Sequence, residues 1–161
     1  MNSSENYIDV ETARKKLEQY CAYQERCHKE VVQKLKSLGM QQQASDYIIA
    51  HLIANNFLNE ERFAIVFARG KHRIKHWGKI RIEQELKKRE ISKYNINKAI
   101  KLLDEEDYLE NFEKVATKKW NDIREKDLSK KKQKWTAYFI RRGFEYNLIY
   151  EKLNELLSEE K

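Results

Sequence analysis

Three kinds of side chain in this sequence have types and spacings that chemistry could use. His72 and His76 lie four residues apart, on one face of a helix, where two imidazoles could share a metal ion. Arg73, Lys75 and Lys79 crowd them, however, and the nearest acid is Glu83, so a cation would be repelled and no metal site is expected. Cys27-His28, even with Cys21, has no further ligand nearby and reads as a helix-packing cysteine beside a surface histidine. The run Asp104-Glu105-Glu106-Asp107 lacks the apolar surroundings that raise a carboxylate pKa, and reads as a solvated helix end or an acidic docking surface. No nucleophile elbow, phosphate-cradling glycine loop, HExxH or CxxC occurs. The expectation is a protein that is not an enzyme and uses no cofactor.

Cations are the third kind. Arg69, Lys71, Arg73, Lys75, Lys79 and Arg81 surround Trp77-Gly78, joining charge for phosphates to an aromatic ring that could stack on a base. Trp77 also ends the stripe Phe63, Phe67, Gly70, Ile74, Trp77, whose steps of four and three are helical, so the ring is expected in the core. Further on, Lys130, Lys134, Tyr138 and Arg141 share one helix side and Arg142 follows, giving either a polyanion-binding strip or a plain solvated face. The net charge of +7 is banded: nine Lys/Arg against two acids over 69–89, eleven against three over 114–142, and six acids without a base over 104–113. Such banding favours an acidic partner such as nucleic acid.

The elements that must position these residues are helices. Apolar spacing is helical almost throughout, as in Tyr146, Ile149, Tyr150, Leu153, Leu156 and Leu157, and no segment alternates with period two. With no proline and only four glycines, the chain lacks the tight turns of sandwiches, barrels and doubly wound sheets. About nine helices are predicted, with Ser92 as an N-cap and with Gly39 and Gly143 as left-handed helix ends. Leu35-x3-Gly39-Met40, Leu86-x3-Glu90-Ile91 and Phe139-x3-Gly143-Phe144 form one pattern, repeated after 51 and then 53 residues. A second apolar ladder follows each copy, and the register runs on to Phe57-Leu58 and Tyr108-Leu109. The prediction is an all-α protein of three tandem three-helix modules, each too small to be stable alone, stacked into an elongated, curved array. Its divisions are a flexible tail at 1–8 and modules at 9–57, 58–107 and 108–161. The longest apolar run, Phe63–Ala68, is far short of the ~20 residues that span a bilayer, and no secretory signal opens the chain. Cys21 and Cys27, about 120° apart on a continuous helix, are poorly placed for a disulfide. Reduced thiols in the cytoplasm are expected.

Several of these residues also resemble a known family. Phe57-Leu58-Asn59-Glu60-Glu61-Arg62-Phe63-Ala64, Ala68-Arg69, Trp77-Gly78-Lys79-Ile80-Arg81-Ile82 through Leu86 to Ile91, and Phe139-x-Arg141-Arg142-Gly143-Phe144-x-Tyr146 are similar, in order and spacing, to the RecX family of bacterial regulators of the RecA recombinase. The resemblance covers roughly residues 10 to 157. It implies a small cytosolic protein of tandem three-helix modules that binds the RecA filament on single-stranded DNA; a monomer is expected. It further implies that RecA is inhibited by limiting filament growth or activity, with effects on recombination, DNA repair and the SOS response. The basic residues named above are then the expected filament or DNA contacts. A general DNA-binding helical protein is the alternative.

Overall fold

A computed structural model describes residues 8–160; seven of the eight residues of the expected tail lie outside the described residues. The order is α1 (Val10–Tyr23), α2 (His28–Ser37), α3 (Gln42–Ala54), α4 (Glu60–Lys75), α5 (Lys79–Lys88), α6 (Lys93–Lys101), α7 (Glu105–Asp122), α8 (Leu128–Arg142) and α9 (Tyr146–Glu159), with no strand among the described residues. Polar caps set many of the starts. Asp9, Asn59, Ser92, Asp104 and Asp127 each accept the backbone N–H three residues on, at 2.7 to 3.2 Å, satisfying donors that a helix leaves free.

The helices close in threes over separate cores. Leu17, Val31, Leu35, Ile48 and Leu52 fill the first, Phe63, Ile82, Leu86, Ile91 and Ile96 the second, and Phe112, Trp135, Phe139, Phe144, Ile149 and Leu153 the third. The repeated pattern has one backbone form. Gly39, Glu90 and Gly143 have φ of 75°, 60° and 81°. The following amides of Met40, Ile91 and Phe144 donate to the carbonyls of Leu35, Leu86 and Phe139 at 3.1 to 3.2 Å. This paired closure ends the second helix of every module. Glu90 adopts, under strain, the conformation that glycine supplies in the other two.

Some expected packing differs. The stripe on α4 does not reach Trp77, because the helix stops at His76, which is left-handed at φ 57°. Phe63, Ala64, Ala68 and His72 form its buried face instead, leaving Ile74 75% exposed. The continued register after the second ladder also fails. Leu58 is buried in the first core, whereas Tyr108 lies inside α7 and Leu109 is 37% exposed. A division after residue 107 thus passes through the first turn of α7. On α9 the buried stripe is narrower than the spacing suggests, since Tyr146 and Tyr150 face outward. Cys21 and Cys27 do not share a helix: Cys21 is in α1 and Cys27 precedes α2, buried in the second module's core. Both thiols are free, and burial pushes each up to about 11. No described helix is long and apolar enough to cross a membrane.

Candidate polyanion interface

The second and third modules meet backbone to backbone. After α4 turns at His76, the Gly78 amide donates to the Arg142 carbonyl at 2.7 Å and the Ile80 amide donates to the Gly143 carbonyl at 3.0 Å. A methyl group on Gly78 would lie 2.4 Å from the Gly143 oxygen, and one on Gly143 would lie 2.3 Å from Cβ of Arg81. Neither position has room for a side chain. The two glycines of the motifs Trp77-Gly78-Lys79 and Arg142-Gly143-Phe144 therefore touch each other and lock α5 against the α8–α9 turn.

That contact joins the two basic zones that the sequence separates by an acidic one. Arg81 stacks over Trp77 at 4.3 Å from the ring centroid and donates to the Arg141 carbonyl at 3.2 Å. Lys71 lies 5.2 Å from the same ring, and Arg142 donates to the Lys75 carbonyl at 2.8 Å. Arg142 also covers Tyr138, whose ring has Lys119 at 4.4 Å. Lys134 and Arg141 line the same shallow depression as Lys119 and Tyr138. A continuous band of cations over two aromatic rings results.

The ten cations expected as contacts fall into two groups. Lys71, Lys79, Arg81 and Arg142 are partly buried; Lys79, Arg81 and Arg142 hold the junction together, while Lys71 lies over Trp77 within the second module. Lys79 pairs with Glu105 at 2.8 Å and covers the Tyr108 ring, while its amide donates to the Tyr108 hydroxyl at 3.0 Å. Arg69, Arg73, Lys75, Lys130, Lys134 and Arg141 are exposed. Among these Lys134 pairs with Glu125 at 3.0 Å. The zone over 69–81 is also divided between two faces: Arg69 and Arg73 look toward Asp104 and Asp107, whereas Lys71 and Lys75 border the first module. Trp77 is 9% exposed beneath Lys71 and Arg81, so it belongs to the core and is not open to a base.

Two residues that the spacing noted for other roles, His72 and Tyr108, complete the junction. His72 is buried, with Nδ1 3.0 Å from the Trp77 carbonyl and Nε2 3.2 Å from the Asn111 amide. With both nitrogens engaged and His76 serving as the helix end, the pair is not a ligand set. Burial lowers the His72 pKa. Tyr108 stacks on His72 at 4.8 Å, donates to Glu145, and has its pKa raised mainly by burial. The signal for Tyr108 was present, as an aromatic at i, i+4 from Phe112 in α7, but nothing local links it to Lys79, 29 positions earlier. No group of three His, Cys, Asp or Glu among the described residues is arranged to hold a metal ion. The first module is tied on by Arg62, which bonds Glu25 at 2.5 Å and the Asn56 carbonyl at 3.0 Å, and by Lys29, which donates to the Lys88 carbonyl at 3.0 Å.

The three-helix modules have known counterparts. Residues 59–100 match the family model described as RecX, second three-helix domain, and residues 105–153 match RecX, third three-helix domain. The chain is 32% identical over 142 residues to "Regulatory protein RecX" of Clostridium acetobutylicum, covering 81% of this chain and 62% of that protein. It is 30% identical over 111 residues to that of Clostridioides difficile, covering 69% and 52%. It therefore spans between half and two thirds of these curated relatives. The crystal structure of RecX from Lactobacillus salivarius superposes with a TM-score of 0.76 at 25% identity, over 91% of this chain and 96% of that one. A second, titled as regulatory protein RecX, gives 0.79 at 22%, over 91% and 73%, and supports the fold.

Proposed function

The chain belongs to the RecX family, and from that premise we propose that it is a non-enzymatic regulator of the RecA recombinase. It binds the RecA filament on single-stranded DNA and limits the growth or activity of that filament, lowering recombination, repair and SOS signalling. It acts in the cytoplasm as a monomer. The observation that carries the reading is the convergence of both basic zones on the Gly78–Gly143 contact. One rigid junction thereby presents Arg141 and Lys75 outward beside the strip of Lys130 and Lys134, while Arg69 and Arg73 extend the charge along α4. Several weak ionic contacts held at fixed spacing add up on a repetitive, phosphate-bearing partner far better than the same charges on a flexible tail.

The test is the DNA-dependent ATPase of the cognate RecA on single strands, titrated with this protein well below one molecule per RecA, with and without excess free DNA. Inhibition that persists with added DNA supports a filament-directed regulator. Inhibition erased by added DNA, and weakening steeply with salt, would instead identify a general DNA-binding protein.

A further inference from the structure

A groove of about 620 Å³ runs between the first and second modules, on the side of α4 that carries Lys71 and Lys75. Its floor is a face of α4 that includes Gly70 and Ile74, which the expected core stripe would have buried. Val66 is 50% exposed and Ile74 75% exposed, and Gly70 lies between them at the same helical spacing. The three lie on one side of the helix over about 12 Å, a little more than two turns. Gly70 is the informative residue. It sits inside α4, where glycine is the poorest helix former after proline, and a Cβ there would meet nothing within 4 Å. No internal contact requires a glycine at this point. Its effect is to keep the floor open between two exposed aliphatic side chains.

The rim is basic. Lys29 of α2 and Lys71 and Lys75 of α4 border the groove, and none of the three has a carboxylate within ion-pair distance among the described residues. Two acids also line it, but each is already held by an arginine: Glu25 by Arg62 at 2.5 Å and Glu30 by Arg26 at 3.6 Å. The surface thus combines an apolar floor between two helices with uncompensated positive charge along its edges. A nucleic acid strand would meet the charge but would leave the aliphatic floor unsatisfied. An amphipathic helix would meet both, setting apolar residues at i, i+3 and i+4 over Gly70 and acids toward the lysines.

We propose that this groove is a docking site for an acidic amphipathic helix of a protein partner, sharing only Lys71 and Lys75 with the polyanion band. The proposal goes beyond the regulatory reading and does not rest on it, because its test contains neither recombinase nor DNA. Three labelled helical peptides are titrated against the full chain by fluorescence anisotropy: one with leucines at helical spacing and glutamates elsewhere, one with lysines in place of the glutamates, and one with serines in place of the leucines. The acidic amphipathic peptide is expected to bind saturably, and the other two at least tenfold more weakly. Gly70→Leu puts a side chain onto the floor from a Cβ that meets nothing within 4 Å, so it is expected to weaken that binding at least tenfold while leaving the melting temperature unlowered. Absence of saturable binding, equal binding of the lysine peptide, or indifference to Gly70→Leu each overturns the proposal. Sedimentation revealing self-association that Gly70→Leu abolishes would assign the groove to a second copy of this chain, and would overturn it as well.

Discussion

Gly78→Ala adds one methyl group at the point where the second and third modules touch. The φ of Gly78 is −81°, which alanine adopts freely, so any effect comes from the clash alone. The new carbon would lie 2.4 Å from the Gly143 oxygen and 2.5 Å from Cα of Phe144. Ordinary contact needs about 3.4 Å, so the two backbones must part by ~1 Å, and neither neighbour is a flexible side chain. That movement stretches three hydrogen bonds: Gly78 to Arg142 at 2.7 Å, Ile80 to Gly143 at 3.0 Å and Lys79 to Tyr108 at 3.0 Å. At about 1 kcal/mol apiece the loss is ~3 kcal/mol. For a chain of this length that lowers the melting temperature by roughly 6 to 12 °C. Thermal unfolding followed by tryptophan fluorescence reads both sides of the junction, through Trp77 in one module and Trp120 and Trp135 in the next. Gly70→Ala is the matched control: its methyl group meets nothing, and helix propensity should raise stability by about 1 kcal/mol. The reasoning is refuted if Gly78→Ala melts with wild type, or if the two alanines behave alike.

Replacing the exposed Arg69, Arg73, Lys130 and Arg141 by glutamate should cut RecA ATPase inhibition at least tenfold while circular dichroism is unchanged, since none of the four holds the junction; retained inhibition would remove the band from the interface. The same change in Lys79 and Arg81 should instead cost stability, because one is paired with Glu105 and the other covers Trp77; an undiminished melting temperature would contradict this. His72, held neutral by burial, has a folded pKa below its unfolded value near 6.5, so the unfolded chain binds the extra proton. Stability is fully present above pH ~6.5 and should fall as the pH drops through the folded pKa, a dependence that urea titrations should find flattened in His72→Gln. Glu90→Gly should stabilise by ~1 kcal/mol, measured by the urea midpoint, because glycine occupies φ 60° without strain; a lower midpoint would mean that the Glu90 side chain holds something the backbone does not reveal.

Much of this architecture is legible from local pattern. Leu35, Leu86 and Phe139 each sit four before a left-handed residue and five before an apolar one, and that spacing alone specifies a helix, its stop and the return of the chain to the core. Ser92 is readable as a cap because its hydroxyl needs only the amide three residues on. The motif Asn59-Glu60-Glu61-Arg62-Phe63 is equally local in its first role: Asn59 caps α4 and Phe63 enters the core. Its second role is not local. Arg62 ties α4 to Glu25 and Asn56, which belong to the preceding module, and Glu61 pairs with Lys98 at 2.6 Å across its own module.

The α4 stripe is the instructive failure. Steps of four and three from Phe63 to Trp77 describe a continuous helix, yet His76 turns left-handed and Trp77 reaches the core from outside the helix, leaving Ile74 in solvent. Periodicity reports which residues share a face for as long as the helix lasts, and carries no information on where tertiary contacts end it. The candidate site divides in the same way. Composition places the cations in two bands with acids between them, and a resemblance in ordered motifs identifies the family. Only the folded chain brings Arg81 onto Arg141 and Arg142 onto Lys75, across 60 and 67 residues, and it does so because two glycines at 78 and 143 allow backbones to meet where any side chain would hold them apart. Helix faces follow from short-range sterics that every segment carries within itself, whereas the distance between modules is set by packing that no single segment contains.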